Sequence, residues 1–229
     1  MSEPLDSPRA LASPSSSDHR TPGDYGSVKN AAEEIVALML ETYADGSGKV
    51  YGETAIAAAA ALAGEFALRA TGLPLPPPGA LAVGGVQDGI LFADPTRATA
   101  WSMITRAAGV AGVAALPDLA PIIIRTLGAV GTPRFPPLTI PPQYLPREPA
   151  FNAGPRLRAT VRNIGERQRL SPSDLVVVLG WAVGSMIIRT RLTLPPAIMI
   201  QLAAEIMIAA SRVGPLDQPA VDRSRAAVH

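Results

Sequence analysis

From Leu175 to Ile188 the chain runs fourteen residues without an ionisable side chain, and from Ile198 to Ala210 only Gln201 and Glu205 interrupt the apolar positions. A helix that is apolar nearly all round must be covered on most sides. The pattern predicts two central helices, Pro172 to about Arg191 and Pro195 to about Val213, opened by proline and stopped by Gly214-Pro215. The few residues between them predict an antiparallel helical hairpin.

Upstream, Ile35, Leu38, Met39 and Thr42 or Tyr43 fall at helical spacing after an Asn30/Glu33 pair that resembles a capping box. Val50 to Thr71 predicts a second helix, carrying the alanine run Ala57 to Ala61 and ending at Gly72. Side chains this small let a neighbouring helix come close. Leu73 to Gly79 holds four prolines and cannot be helical. Residues 81–93 are ambiguous, because Asp88-Gly89 between two apolar triplets suits a small β-hairpin as well as an irregular or helical segment. Asp94-Pro95 and Pro117-Asp118 supply start signals for helices of roughly Thr96 to Val110 and Pro117 to Ala129. Pro155 to Arg169 is amphipathic, with Leu157, Val161 and Ile164 on one face.

The fold class is therefore all-α: about seven helices in one domain over residues 28–214, with the C-terminal hairpin packed at the core against the alanine-rich second helix. The Ser/Pro/Asp-rich residues 1–27 and the residues 215–229 read as disordered tails. Seven prolines between Pro133 and Pro149 predict an extended crossover over the surface.

Composition narrows the chemistry. The 229 residues are 48% hydrophobic and only 17% charged, with 4% aromatics, so the core is built from aliphatic side chains and alanine. Cysteine is absent, and His19 and His229 lie in the polar ends. That excludes disulfides, thiolate chemistry and a histidine-dependent acid–base or metal site in the folded body. The expectation is accordingly no cofactor and no metal. A net charge of +1 gives no long-range attraction to nucleic acid or an anionic membrane. Met1 to Gly26 has no apolar signal region. The fourteen apolar residues, if helical, cover roughly 21 Å against about 30 Å of hydrocarbon. A cytoplasmic protein without a membrane span is the resulting expectation.

Four motifs bear on function. Gly46-Ser47-Gly48-Lys49 shares the ending of a phosphate-binding loop, but Tyr43 replaces the first glycine, Val50 replaces the Ser or Thr, and a helix comes before it. A helix–helix turn is the better reading. Leu170 to Gly180 has the cadence of a helix-turn-helix, yet Ser185, Met186 and Ile188 would be a poor base-reading set, and one continuous helix is preferred. Gly180 and Gly184 form a small-xxx-small step that predicts close helix contact, either within the chain, for instance against Ala57 to Ala61, or along a homodimer seam. Arg156, Arg158, Arg162, Arg167 and Arg169, offset by Glu166, form the one basic concentration. They read first as a solvated face, and second as a platform for an anionic ligand or nucleic acid.

Glu53, Glu65, Asp88, Gln201 and Glu205 are the polar groups nearest apolar surroundings. The plain reading pairs Glu65 with Arg69 and lays Gln201, Glu205 and Arg212 along a narrow solvent stripe. No complete catalytic constellation is present, so an enzyme is the less favoured class. The leading expectation is a helical interaction or assembly protein, self-associating or bound to a protein partner. The alternative is an enzyme or small-molecule-binding protein with a pocket between helices. That alternative requires Glu65 or Glu205 and an arginine, such as Arg156, Arg158 or Arg162, to converge on a cavity. Nucleic-acid binding through residues 155–169 comes third.

Overall fold

A computed structural model describes residues 22–80, 85–92, 98–128 and 137–218. Among these residues the chain forms eight α-helices and no strand: α1 Pro22–Thr42, α2 Gly52–Ala70, α3 Val86–Phe92, α4 Ala100–Val110, α5 Leu119–Gly128, α6 Ala153–Arg167, α7 Pro172–Thr190 and α8 Pro196–Ala210. Two 3-10 turns are present, Pro142–Tyr144 within the proline-rich crossover and Ala150–Asn152 directly after it, leading into α6.

The centre of the molecule is α2. Sixteen of its nineteen residues are buried, the alanine run among them. The most extensive helix contacts are α2 with α7, α2 with α8, and α4 with α7. The α7 and α8 helices share much less surface with each other. The expected C-terminal hairpin therefore supplies two core helices joined by a short turn, but α2 packs on both of them and does most of the joining. Alanine allows this, because a helix with almost no side-chain bulk brings two neighbours close enough for tight van der Waals contact. At Gly64 even one methyl group would meet the α8 backbone and the Ala210 side chain.

The α7 helix starts as its sequence dictates. Pro172 occupies the first turn, the Ser171 hydroxyl accepts from the Asp174 N–H, and the Asp174 carboxylate accepts from the Ser171 N–H. It then continues unbroken to Thr190, which rules out a helix-turn-helix break near Val183. It is the one helix among the described residues long and apolar enough to cross a membrane. Most of it is buried inside the fold by α1, α2 and α4.

Other boundaries differ from expectation. The α1 helix already begins at Pro22, so residues 22–27, read as tail, are helical, and Asn30 lies inside the helix. Residues 86–92 form α3 instead of half of a β-hairpin, burying Gln87 and Leu91; residues 81–84 and 93 lie outside the described residues. The Asp94-Pro95 signal also lies outside them, and α4 is capped by Thr99 and Ser102, which exchange hydrogen bonds of 3.0 and 2.8 Å. Most of the two expected tails, residues 1–21 and 219–229, the residues 129–132 and the first part of the crossover, residues 133–136, are likewise outside.

Candidate functional site

Two buried carboxylates, one on α2 and one on α8, each draw arginine from a distant part of the chain. Glu65 faces α6. Its Oε1 accepts from Arg69 Nε at 2.8 Å, the expected one-turn pair, and from Arg158 Nε. Its Oε2 accepts from Arg158 Nη2 at 3.1 Å, and the same nitrogen donates to the Leu216 carbonyl at 2.7 Å. Arg158 projects from beside the buried Leu157–Val161–Ile164 face of α6. The space left around Glu65 is about 20 Å³, enough for one water molecule. This cluster is closed.

Glu205 is different. It lies on α8 with 2% of its surface exposed, so the expected solvent stripe of Gln201, Glu205 and Arg212 is wrong. Arg212 is also 2% exposed and donates to Asp88 of α3 at 2.6 Å, while Gln201 is half-buried. The crossover, α5 and α3 cover the polar edge of α8. Thr139 in the crossover donates to Glu205 twice, through its N–H to Oε2 at 2.9 Å and through its hydroxyl to Oε1. Gln201 Nε2 donates to Oε1 at 2.5 Å, and Arg125 Nη2 of α5 lies 2.8 Å from Oε2. Each carboxylate oxygen thus has two partners. Burial pushes the Glu205 pKa upward, but the bonds from Thr139 and Gln201 and the charge of Arg125 outweigh it and hold the carboxyl below its ordinary value.

Beside Glu205 a cleft of about 370 Å³ opens between α5, α8 and the crossover. Its volume lies in the range of small-molecule sites. One wall is Ile206 and Ala209 of α8, and Leu138 and Leu145 of the crossover form another. Phe151 lines both this cleft and the small space at Glu65. The charged lining is Arg125, Arg147, Glu148 and Glu205.

The crossover is fastened where it borders the cleft. The Arg147 N–H donates to the Thr54 hydroxyl at 3.1 Å, and its guanidinium lies 3.5 Å from the centre of the Tyr51 ring. Glu148 accepts from Arg156 Nη1 at 2.6 Å. Behind it, the Tyr43 pKa is pushed up to about 12, by burial first and the Glu148 charge second.

The remaining candidates separate clearly. Gly180 and Gly184 face α4: a methyl group would strike the Ala100 backbone at 180 and the Ala107 side chain at 184. The close contact is within the chain, against α4 and not the alanine run. In the basic helix, Arg156 binds Glu148, Arg158 binds Glu65, Arg162 lies 3.5 Å from Glu166, and Arg167 binds Glu34. Four of its five arginines are engaged within the fold. The Gly46-Ser47-Gly48-Lys49 segment is a tight turn organised by Asp45, which accepts from the Ser47 and Lys49 N–H groups and from the Ser47 and Tyr51 hydroxyls. Those bonds, the hydroxyl ones foremost, hold the Asp45 carboxyl well below the usual range. Glu53 lies 4.0 Å from Arg147. Among the described residues no group of three or more His, Cys, Asp or Glu comes together that could hold a metal ion.

Sequence reasoning missed Arg125, Thr139, Arg147 and Phe151. Thr139 meets Glu205 across 66 residues of chain, and no local spacing announces such a contact. No protein-family model, curated protein or solved structure matches this chain.

Proposed function

We propose that the protein binds a small molecule in the cleft between α5, α8 and the proline-rich crossover. The observation that carries this reading is the cavity of about 370 Å³ with an apolar wall and an arginine–carboxylate pair at its edge. Convergence of Glu205 and an arginine on one concavity is what an inter-helix site requires. The reading is binding rather than catalysis. A general base needs a free lone pair for the proton it takes, and both Glu205 oxygens are occupied. Glu205 instead positions Arg125 and ties the crossover to α8. A cytoplasmic setting fits a fold that buries most of its longest apolar helix.

The test is a fragment screen by saturation-transfer NMR on the wild type and on Ala209→Trp, which places an indole in the cleft. Hits should lose their signal in the variant. Hits that persist unchanged in Ala209→Trp, or a screen without hits, refute the reading.

A second reading, protein association, is favoured by α5. Ile124 and Leu127 are 68% and 40% exposed, and Ala120 and Pro121 lie exposed on the same face one turn away. An apolar stripe of this kind suits a second copy or a protein partner. Light scattering on the wild type and on Ile124→Glu checks it: a wild-type monomer at high concentration removes the self-association version.

A further inference from the structure

We infer that the ligand of the cleft is a small apolar molecule with one carboxylate, its anionic head on Arg125 and its body against Leu138, Leu145 and Ile206. This rests on the cleft being a binding site. It follows from which polar groups of the lining are already spent. Glu205 has two partners on each oxygen, so it has no acceptor capacity left for a ligand donor. Glu148 gives Oε1 to Arg156 and sits against that guanidinium. The Thr126 hydroxyl donates to the Ile122 carbonyl at 2.8 Å.

Arg125 is the exception. Its guanidinium has five N–H donors; Nη2 meets Glu205, and Nε is buried without a hydrogen-bond partner, so the exposed part of the fork is what a ligand can reach. About a third of its side chain, 29%, remains exposed. The lining therefore has a cation with part of its guanidinium exposed, while each of its two carboxylates already meets an arginine. A ligand ammonium would have to compete with Arg125 or Arg156 for one of those carboxylates, and a neutral hydroxyl would use only part of the donor capacity. A carboxylate matches the guanidinium fork in charge and geometry.

The support behind Arg125 fits the same role. Glu205 keeps three neutral hydrogen-bond donors besides Arg125, so it can remain ionised while Arg125 shares its charge with a second anion. Arg147 adds positive charge on another part of the rim, with its ring stacking on Tyr51 keeping the guanidinium out of the apolar floor. The body of the ligand then sits among leucine and isoleucine side chains, where each buried methylene contributes about 0.8 kcal/mol.

The experiment compares octanoate, 1-octanol and octylamine as probes of equal chain length. Methyl-resolved NMR titrations follow Leu138, Leu145 and Ile206 in the wild type, Arg125→Met, Arg125→Lys and Ala209→Trp. Octanoate should bind at least about tenfold more tightly than the alcohol or the amine, as one charge-assisted contact provides. Arg125→Met should bring octanoate to the affinity of octanol, Arg125→Lys should keep part of the preference, and Ala209→Trp should abolish binding of all three. Equal or tighter binding of octanol or octylamine in the wild type overturns the anionic head and leaves the cleft reading standing. So does a preference for octanoate that survives Arg125→Met. If none of the probes moves these methyl signals at millimolar concentration, both the inference and the cleft reading fall.

Discussion

Glu65 and Glu205 are both buried carboxylates on central helices, yet they are compensated in opposite ways. Glu65 takes all of its hydrogen bonds from arginine, two guanidinium groups closing on one carboxylate in a space the size of a water molecule. Glu205 takes three hydrogen bonds from neutral groups and has a single arginine, at the edge of an open cleft. Burying a charge in the first way makes a staple between α2, α6 and the Leu216 segment. In the second way neutral donors make most of the bonds to the carboxylate, and the arginine, its side chain 29% exposed, lines the cleft. The difference separates a structural ion pair from a candidate binding group where residue types alone look the same.

The largest expected effect comes from removing the staple. Arg158→Met leaves Glu65, whose side chain is 9% exposed, with only the single contact from Arg69. Breaking a buried pair from one side leaves an uncompensated charge, and with Arg69 still present the loss should be about 2–3 kcal/mol in urea unfolding at pH 7. The Leu216 segment, held by the same guanidinium, should gain amide hydrogen exchange. A loss under about 0.5 kcal/mol, the range of exposed pairs, would erase the contrast between the clusters.

Next in size is Glu205→Gln, at about 1–2 kcal/mol near pH 7, because an amide cannot accept from all the donors that converge there. Its pH dependence is the sharper readout. The folded pKa of Glu205 lies below its ordinary value of 4.5, so its stabilising contribution is complete above that pH and is lost as pH falls through the folded value. Urea midpoints between pH 7 and pH 3 should therefore fall less steeply below pH 4.5 in Glu205→Gln than in the wild type. Parallel acid limbs would show that the neutral donors bind the carboxylate no better than water does.

How much of this could be read from the chain depends on the range of the interaction. The Ser171–Asp174 capping box, the proline that opens α8 and the Glu65–Arg69 pair are local, and each appears where spacing puts it. Burial of α2 followed from its alanine run, but its place between α7 and α8 did not, since composition says a helix is covered and not by what. The α3 helix was ambiguous because Asp88-Gly89 is a turn signal in isolation, whereas the fold uses Asp88 to meet Arg212 and buries Gln87 and Leu91. The polar edge of α8 misled for a related reason. Gln201, Glu205 and Arg212 have the spacing of a solvent-facing stripe, and only three-dimensional placement shows that Thr139, Arg125 and Asp88 cover it. The cleft residues lie in segments separated by tens of residues, so no window of sequence contains the site.

Smaller still is Arg125→Met. Glu205 keeps its three hydrogen bonds from Thr139 and Gln201, so stability should fall by about 1 kcal/mol, less than half the effect of Arg158→Met. The two variants remove the same kind of side chain from the same kind of partner. Equal losses in denaturant unfolding would mean that Arg125 is a second staple with nothing to spare for a ligand.

The smallest effect belongs to Arg162→Gln, and it tests whether position or residue type sets these energies. Arg162 lies one turn from Arg158 on α6 and has its own carboxylate partner, Glu166, at 3.5 Å. Both of those side chains are about two-thirds exposed, at 65% and 67%, so water solvates each charge whether or not the pair forms. Replacing Arg162 should change stability by less than about 0.5 kcal/mol, with the residual effect declining in high salt as an exposed one-turn pair requires. On one helix, then, two arginines four residues apart should differ several-fold in their contribution, solely because one reaches the α2–α6 interface and the other does not. A loss at Arg162 comparable to that at Arg158 would mean that the basic face of α6 acts as one electrostatic unit, and burial of Glu65 would no longer explain the difference between the two clusters.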